Sequence, residues 1–561
     1  LIPIQSIPIQ RSLVMKPKFT SALLLTLTLF AFPARAASPS GLAAYADKTL
    51  AAIYPADRPG AVAIVIQDGK VLLRKAYGMA NLELGVPMAP DMVFELGSVT
   101  KQFTAAAILL LQERGQLRVE DEITRYLPDY PTHGQRITLE NLLTHTSGIP
   151  SYTGLPEWFP RMREDLKPAD VIALFKDKPL EFNPGERWAY DNSGFFLLGA
   201  IIEKVSGRSY ERFVEEEIFQ KLGMTHSRYG HPEEIVPRRA SGYSKNDQGF
   251  RNADFISMTH PYAAGSLMST VDDLAIWDRA LGGETLLKQA SLDRMLTAYK
   301  LKSGLSTHYG YGMGVFDLEG RRILQHGGDI NGFTTDVTRV PEERLFIAIL
   351  SNNDASDPRP DAVALRLAAK AIGKPIEERK TIQLDPATLD DYIGVYRFDE
   401  RTTRAITREE SKVFSQRSGG QKTEILATAR DDFFFPEGDA RLRFRRDAQG
   451  KVTGVDFSPL LGADERGTKT DEPLPRERQA VQVNPAVYDA YVGEYELAPG
   501  FSITITREGN QLFALPTGQG KAELFPESET RFFLKVVDAG IEFVRGPDGK
   551  VTGLVLHQGG R

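Results

Sequence analysis

The sequence contains no cysteine. That excludes disulfide bonds, a thiolate nucleophile and any cysteine-ligated metal. It also lacks an excess of basic charge: 68 Lys and Arg stand against 74 Asp and Glu, a formal net charge of −6. Four basic residues, Arg11, Lys16, Lys18 and Arg35, fall in the first 36 positions, where there is no acidic one, so the rest of the chain carries −10. A chain of that sign is a poor partner for nucleic acid. Beyond residue 36 no apolar run is long enough for a transmembrane helix.

What is present has the composition of a globular protein, with 42% apolar and 25% charged residues, and 561 residues leave room for three or four domains. Residues 1–36 read as an export signal, with Met15 as its natural start. Met15-Lys16-Pro17-Lys18 is a basic head, Ala22 to Phe32 an apolar run, and Ala34-Arg35-Ala36 a small-residue cleavage site. The expected product is exported, periplasmic or secreted, with no transmembrane anchor after cleavage.

The stretch that draws the most attention is Phe94-Glu95-Leu96-Gly97-Ser98-Val99-Thr100-Lys101-Gln102-Phe103. An apolar run through Leu111 follows it, so Ser98 is expected near the N-terminus of a buried helix with Lys101 one turn on. A serine at the positive end of a helix beside an amine can be an activated nucleophile. It can equally be a cap followed by a surface lysine, since about one Ser-x-x-Lys arises by chance in a chain of this length.

Around that stretch the pattern predicts an α+β block. Leu42 to Tyr54 reads as an amphipathic helix. Ala61 to Gln67 and Val71 to Tyr77 read as a hairpin joined by Asp68-Gly69. Thr138 is a plausible cap for a short helix that runs into Thr144-His145-Thr146-Ser147-Gly148. Tyr190-Asp191-Asn192-Ser193-Gly194 leads into a second apolar helix, and Ser269-Thr270 caps another. His326-Gly327-Gly328 stands between two strand-like runs, the later being Leu345 to Ser351. A tyrosine in a loop beside a lysine can shuttle protons, and a histidine followed by glycines lets backbone approach a ligand. Taken singly, each pattern is more often a packing tyrosine or a strand-end turn.

After about residue 376 helical periodicity fades, and an internal repeat appears at a constant offset of 99 residues. Tyr392-Ile393-Gly394-Val395-Tyr396 returns as Tyr491-Val492-Gly493-Glu494-Tyr495. Ile406-Thr407-Arg408-Glu409 returns as Ile505-Thr506-Arg507-Glu508, and Gly450-Lys451-Val452-Thr453-Gly454 as Gly549-Lys550-Val551-Thr552-Gly553. Each unit is expected to form a small antiparallel barrel of roughly six to eight strands. Gly467 to Gln482, rich in charge and proline, reads as the linker. The expected domains are 38–376 for the first block, 385–470 for one barrel and 483–561 for the other.

Jointly, the motifs of the first block resemble the serine β-lactamase and penicillin-binding-protein superfamily, on its class C side, which includes D-aminopeptidases, D-peptidases and esterases. The resemblance spans about residues 40 to 373. It rests on Phe94 to Phe103, Leu142 to Gly148, Pro184-Gly185 with Tyr190 to Gly194, Gly265 to Leu274, Tyr309 to Gly312, and His326-Gly327-Gly328 with Gly332-Phe333. It implies an antiparallel sheet flanked by helices, and a serine hydrolase working through an acyl-enzyme. By that resemblance Ser98 is the nucleophile, and Lys101 and Tyr190 share the base work. Asn192, His326 and Gly328 contact substrate, and the backbone N–H groups of Ser98 and Asp329 form the oxyanion hole. Such donors contribute on the order of 3 kcal/mol each. His145 reads as structural. No cofactor or metal is implied.

His326 stands where β-lactamases usually carry lysine, a departure that shifts weight towards peptidases and esterases. The two barrels, which look like D-aminopeptidase architecture, point the same way. A small amide or short peptide is the expected substrate. An esterase on short acyl esters, a β-lactamase and a catalytically silent peptidoglycan sensor are the alternatives, and oligomeric state is left open.

Overall fold

Six antiparallel strands form the central sheet of the first block. The structure is a computed structural model describing residues 39–561 except 156, 247, 319, 376–379, 400–401, 419, 421, 437–439, 459–463, 476–479, 499–500, 517–520, 536–538 and 559–561. The expected export signal at 1–36 lies outside the described residues. In chain order the elements that matter are α1 (Pro39–Ile53), β1 (Ala61–Gln67), β2 (Lys70–Tyr77), α2 (Thr100–Glu113), α3 (Asn192–Ser206), α4 (Val271–Leu281), β3 (Gly314–Leu318), β4 (Arg321–Ile330), β5 (Phe333–Val340), β6 (Leu345–Ser351) and α5 (Pro360–Ala371). The sheet order is β3-β4-β5-β6-β1-β2.

Both faces of this sheet are covered, and strand alternation shows how. Ala61, Ala63 and Val65 of β1, with Leu345, Ile347 and Ile349 of β6, pack in one core with α1 and α5. Val62 and Ile64, with Phe346, Ala348 and Leu350, face the larger core that holds α2, α3 and α4. Central strands buried on both sides therefore read as continuous apolar runs. The expected hairpin is present: Asp68 and Gly69 both take positive φ, 53° and 73°, the two-residue turn that matches strand twist. The expected caps are present too. Thr138 accepts from Asn141 N–H in a reciprocal box with the Asn141 side chain, and Thr270 accepts from Asp273 N–H. Helix α2 is buried from Thr100 to Leu111, as a helix apolar on nearly every side must be.

One expectation needs correction here. His326-Gly327-Gly328 does not lie between strands. It is the interior of β4, paired with Val337, Asp336 and Thr335 of β5. Glycine inside a strand marks a close backbone approach. Gly328 is such a point, because a Cβ there would stand 1.9 Å from Leu96 O and 2.4 Å from Thr335 Oγ1.

The C-terminal part is two antiparallel barrels. The first closes with eight strands, from Gly394–Arg397 to Glu465–Thr470. The second has seven, from Gly493–Ala498 to Val551–Gln558, and is nearly closed. The repeat has a physical basis: Tyr396 donates its hydroxyl to Tyr392 O at 2.7 Å, and Tyr495 to Tyr491 O at 2.9 Å. Residues Gly467 to Thr470, expected to begin the linker, are the strand that closes the first barrel by pairing with Val395 to Arg397.

Candidate active site

A two-residue strand, Phe94–Glu95, pairs with Met268 and Ser269 and delivers the chain into a turn at Gly97–Val99 that continues as α2. Gly97 takes φ 53°, and a Cβ on it would lie 2.8 Å from Asp329 N. Thr335 Oγ1 donates to Leu96 O at 2.8 Å. Two glycines, Gly97 and Gly328, thus let the turn bearing Ser98 press against the end of β4. The backbone N–H groups of Ser98 and Asp329 are brought into one neighbourhood by backbone geometry alone.

Lys101 is the second residue of α2, three residues past Ser98, and is wholly buried. Its Nζ donates to Ser98 Oγ at 3.0 Å, Asn192 Oδ1 at 2.8 Å and Ala264 O at 2.9 Å. Burial lowers its pKa from 10.5 to about 7, with the Asp191 carboxylate offsetting part of the shift. Near neutral pH a large fraction of this amine is therefore unprotonated and can accept a proton from the hydroxyl it touches.

Asn192 is the first residue of α3, and Asp191 is its N-cap, its carboxylate accepting from Gly194 N–H. With Oδ1 taken by Lys101, the Asn192 amide nitrogen donates to Thr153 Oγ1 at 3.0 Å, and its backbone N–H donates to Ser151 Oγ at 3.0 Å. Tyr190 precedes the cap. Its ring centre is 4.8 Å from Lys101 Nζ, and its phenol lies near the Ser98 hydroxyl. The residue is 39% exposed. Burial still pushes the phenol upward, and the nearby Ser98 hydroxyl only partly offsets this, so it is protonated at neutral pH.

His145 holds this segment. Ala189 N–H donates to His145 O at 3.0 Å and Asp191 N–H to His145 Nδ1 at 3.2 Å. The imidazole centre lies 4.4 Å from that of the Tyr190 ring. Accepting at Nδ1 leaves the proton on Nε2, and burial, reinforced by the Lys101 charge, lowers the imidazole pKa. The Asp191 carboxylate opposes the shift without reversing it, so His145 is a neutral wedge.

The structure brings Ser98, Lys101, Tyr190, Asn192, Gly328 and Asp329 together. His326 lies beside them, its ring centre 6.3 Å from that of Tyr190. Its ring is nearly buried, Nδ1 donates to Gly327 O at 2.6 Å, and Nε2 accepts from the Tyr309 hydroxyl at 2.8 Å. Burial first, then the Lys101 charge, lowers its pKa to about 3. This environment disfavours a cationic His326. Residues absent from the sequence reading also shape the site. The Ala264 carbonyl is the third partner of Lys101 and lies next to the Gly265-Ser266 landmark. Ser151 and Thr153 orient Asn192. Arg359 grips both carboxylate oxygens of Asp329 at 2.9 Å. The cleft in front of Ser98, about 210 Å³, is bounded by Asn192, Tyr152, Trp158, Gly265, Asp329 and Asn331, among others. Among the described residues no three His, Asp or Glu side chains gather as a metal site, and no helix is long and apolar enough to cross a membrane.

Comparison with known proteins agrees with this layout. The family described as "Beta-lactamase" matches residues 47–371, and a "Domain of unknown function (DUF3471)" matches twice, over 378–470 and 477–560. "Penicillin-binding protein 4*" of Bacillus subtilis is 28% identical over 396 residues, 66% of this chain and 86% of that one. The "D-aminopeptidase" of Gluconobacter oxydans is 28% identical over 349 residues, 60% of this chain and 63% of its own length. Among solved structures, the octameric penicillin-binding protein homologue from Pyrococcus abyssi is 26% identical with a TM-score of 0.54, covering 76% of this chain and 99% of that chain. A D-stereospecific amidohydrolase from Streptomyces sp. is 26% identical with a TM-score of 0.52, covering 58% and 98%.

Proposed function

The chain belongs to the beta-lactamase family, and on that footing we propose that it is an exported serine hydrolase that opens small amide bonds, of D-aminopeptidase or D-peptidase type, through an acyl-enzyme on Ser98. The observation that carries the reading is the buried Lys101 amine, lowered to about 7 and hydrogen-bonded to Ser98 Oγ at 3.0 Å. A lysine with no chemical role gains little from burial among neutral acceptors, since desolvation disfavours its charge.

The steps follow from these contacts. The neutral Lys101 amine takes the Ser98 proton as Oγ bonds to the substrate carbonyl carbon. Negative charge develops on the carbonyl oxygen, and the backbone N–H groups of Ser98 and Asp329 hold it. Tyr190, protonated and near Ser98, passes a proton to the leaving nitrogen as the C–N bond breaks. Water then attacks the ester, with the same groups accepting its proton and returning one to Ser98 Oγ. Asn192 fixes the Lys101 amine and lines the cleft beside the scissile bond. The D-amide preference is supported by the D-aminopeptidase relative and the D-stereospecific amidohydrolase neighbour.

The test is a substrate panel of D- and L-aminoacyl nitroanilides, short nitrophenyl esters and nitrocefin. The expected order is D-aminoacyl anilides first. Preference for esters with no anilide turnover overturns the amide assignment, and efficient nitrocefin turnover alone makes the protein a β-lactamase.

A further inference from the structure

The two barrels of the repeat differ at a group of interior positions around Arg404 in a way that folding does not require. In the first barrel Arg404, on the strand Thr403–Glu409, is only 6% exposed. Its Nη1 donates to Ser415 Oγ at 3.0 Å, and the guanidinium lies 4.4 Å from the centre of the Phe457 ring and 5.5 Å from that of Phe435. Among the described residues Ser415 is its only hydrogen-bond partner, and its Nε is buried without one. Among the described residues no carboxylate pairs with it directly. Its ladder partner is another cation, Arg417, and the nearby Glu465 carboxylate is 3.8 Å from Arg417. Burial and the Arg417 charge lower the Arg404 pKa to about 10, which still leaves the group charged at neutral pH.

The second barrel supplies an internal control. The 99-residue offset puts Ile503 at the place of Arg404, Ala514 at Ser415, Leu534 at Phe435, Leu556 at Phe457 and Pro516 at Arg417. The register is conserved between the units: Arg404 pairs with Arg417, and Ile503 with Pro516. Ile503 and Ala514 are both 1% exposed in an apolar core against which Leu534 and Leu556 pack. The same local strand pairing thus forms around aliphatic side chains. A buried guanidinium without a counter-charge opposes folding, and its unused N–H groups form the fork that matches the two oxygens of an oxyanion.

We propose that the first barrel carries an oxyanion-binding site centred on Arg404, which takes the carboxylate or phosphate group of a small ligand. Ser415, whose hydroxyl proton is left to donate once its oxygen accepts from Arg404, is a second donor. Arg417 adds a like-signed field, and the Phe435 and Phe457 rings flank the bound group. The site lies on a different domain from Ser98 and does not depend on the hydrolase reading.

The test is isothermal titration of the full chain with sodium acetate and, separately, inorganic phosphate, at constant ionic strength. The wild type should give saturable binding. The double variant Arg404→Ile with Ser415→Ala, which installs the second barrel's own residues, should weaken it by about tenfold or more. That variant should melt no lower than the wild type without anion and should label at Ser98 at the wild-type rate. Arg404→Lys, which keeps the charge but not the fork, should weaken binding several-fold, and it carries the test if the double variant does not fold. Response to acetate alone identifies a carboxylate ligand, and response to phosphate alone a phosphate. Binding of neither anion, or unchanged affinity in the variants, overturns the proposal.

Discussion

The imidazole of His145 lies 4.4 Å from the ring of Tyr190, and the residues on either side of that tyrosine are both hydrogen-bonded to the same histidine. A histidine that reads from sequence as structural is thus a clamp on the proposed proton shuttle. His145→Phe keeps a ring against Tyr190 but leaves the Asp191 N–H without an acceptor, which costs about 1–3 kcal/mol for a buried donor. We expect kcat to fall roughly tenfold to a hundredfold from the displaced phenol, with little change in KM. His145→Asn, whose Oδ1 can replace Nδ1 as acceptor, should recover most of the loss. Equal activity in the two variants would remove the positioning role.

Lys101 sets the pH dependence. Its amine acts unprotonated, and its folded pKa is about 7. Protonation therefore removes the base as pH falls: kcat/KM should drop about tenfold per unit below pH 7 and level off above pH 8. Lys101→Arg cannot deprotonate in this range and should lose about 10² to 10⁴ in kcat/KM. A profile with no acidic limb near 7 would contradict the assignment.

His326 should leave no mark on that profile. With its pKa lowered to about 3, it is neutral throughout the range where Lys101 titrates. His326→Gln should therefore leave the acidic limb where it is, whatever it does to stability. Movement of the limb in that variant would show that His326 titrates in the working range.

Gly328 tests the backbone approach that brings Ser98 and Asp329 together. In Gly328→Ala the added methyl meets Leu96 O at 1.9 Å, a backbone atom that cannot swing away. Overpacking typically costs about 1–3 kcal/mol. Both melting temperature and Ser98 labelling should fall. Gly69→Ala, in an exposed turn with no atom near the added methyl, is the control: strained by its positive φ, it should lose stability without losing labelling.

Much of this was legible in the sequence where local chemistry decides the outcome. Asp68-Gly69 can hardly be anything but a tight turn, and Thr138 and Thr270 announce their helices. The 99-residue repeat reveals two like barrels without any structural knowledge. The grouping of Ser98, Lys101, Tyr190 and Asn192 came from motif resemblance, because no local rule says that residues 98 and 192 meet. What stayed hidden depends on tertiary packing. The triplet at His326 looks like a turn because glycines usually break strands. Only the Leu96 carbonyl pressing on Gly328 explains them inside β4. The end of the strand Glu465–Thr470, from Gly467 on, looks like linker because its inward position is Gly467, where a Cβ would strike the Phe398 ring at 2.9 Å, so no apolar side chain marks that face. The Ala264 carbonyl, being backbone, leaves no residue-type signal.

The most direct measurement is intact-mass analysis after treatment with a fluorophosphonate probe, followed by peptide mapping, on the wild type and Ser98→Ala. The wild type should gain a single adduct that maps to Ser98, and Ser98→Ala should gain none. An adduct that persists in Ser98→Ala, or a wild type that takes none, would contradict the assignment of Ser98 as the nucleophile.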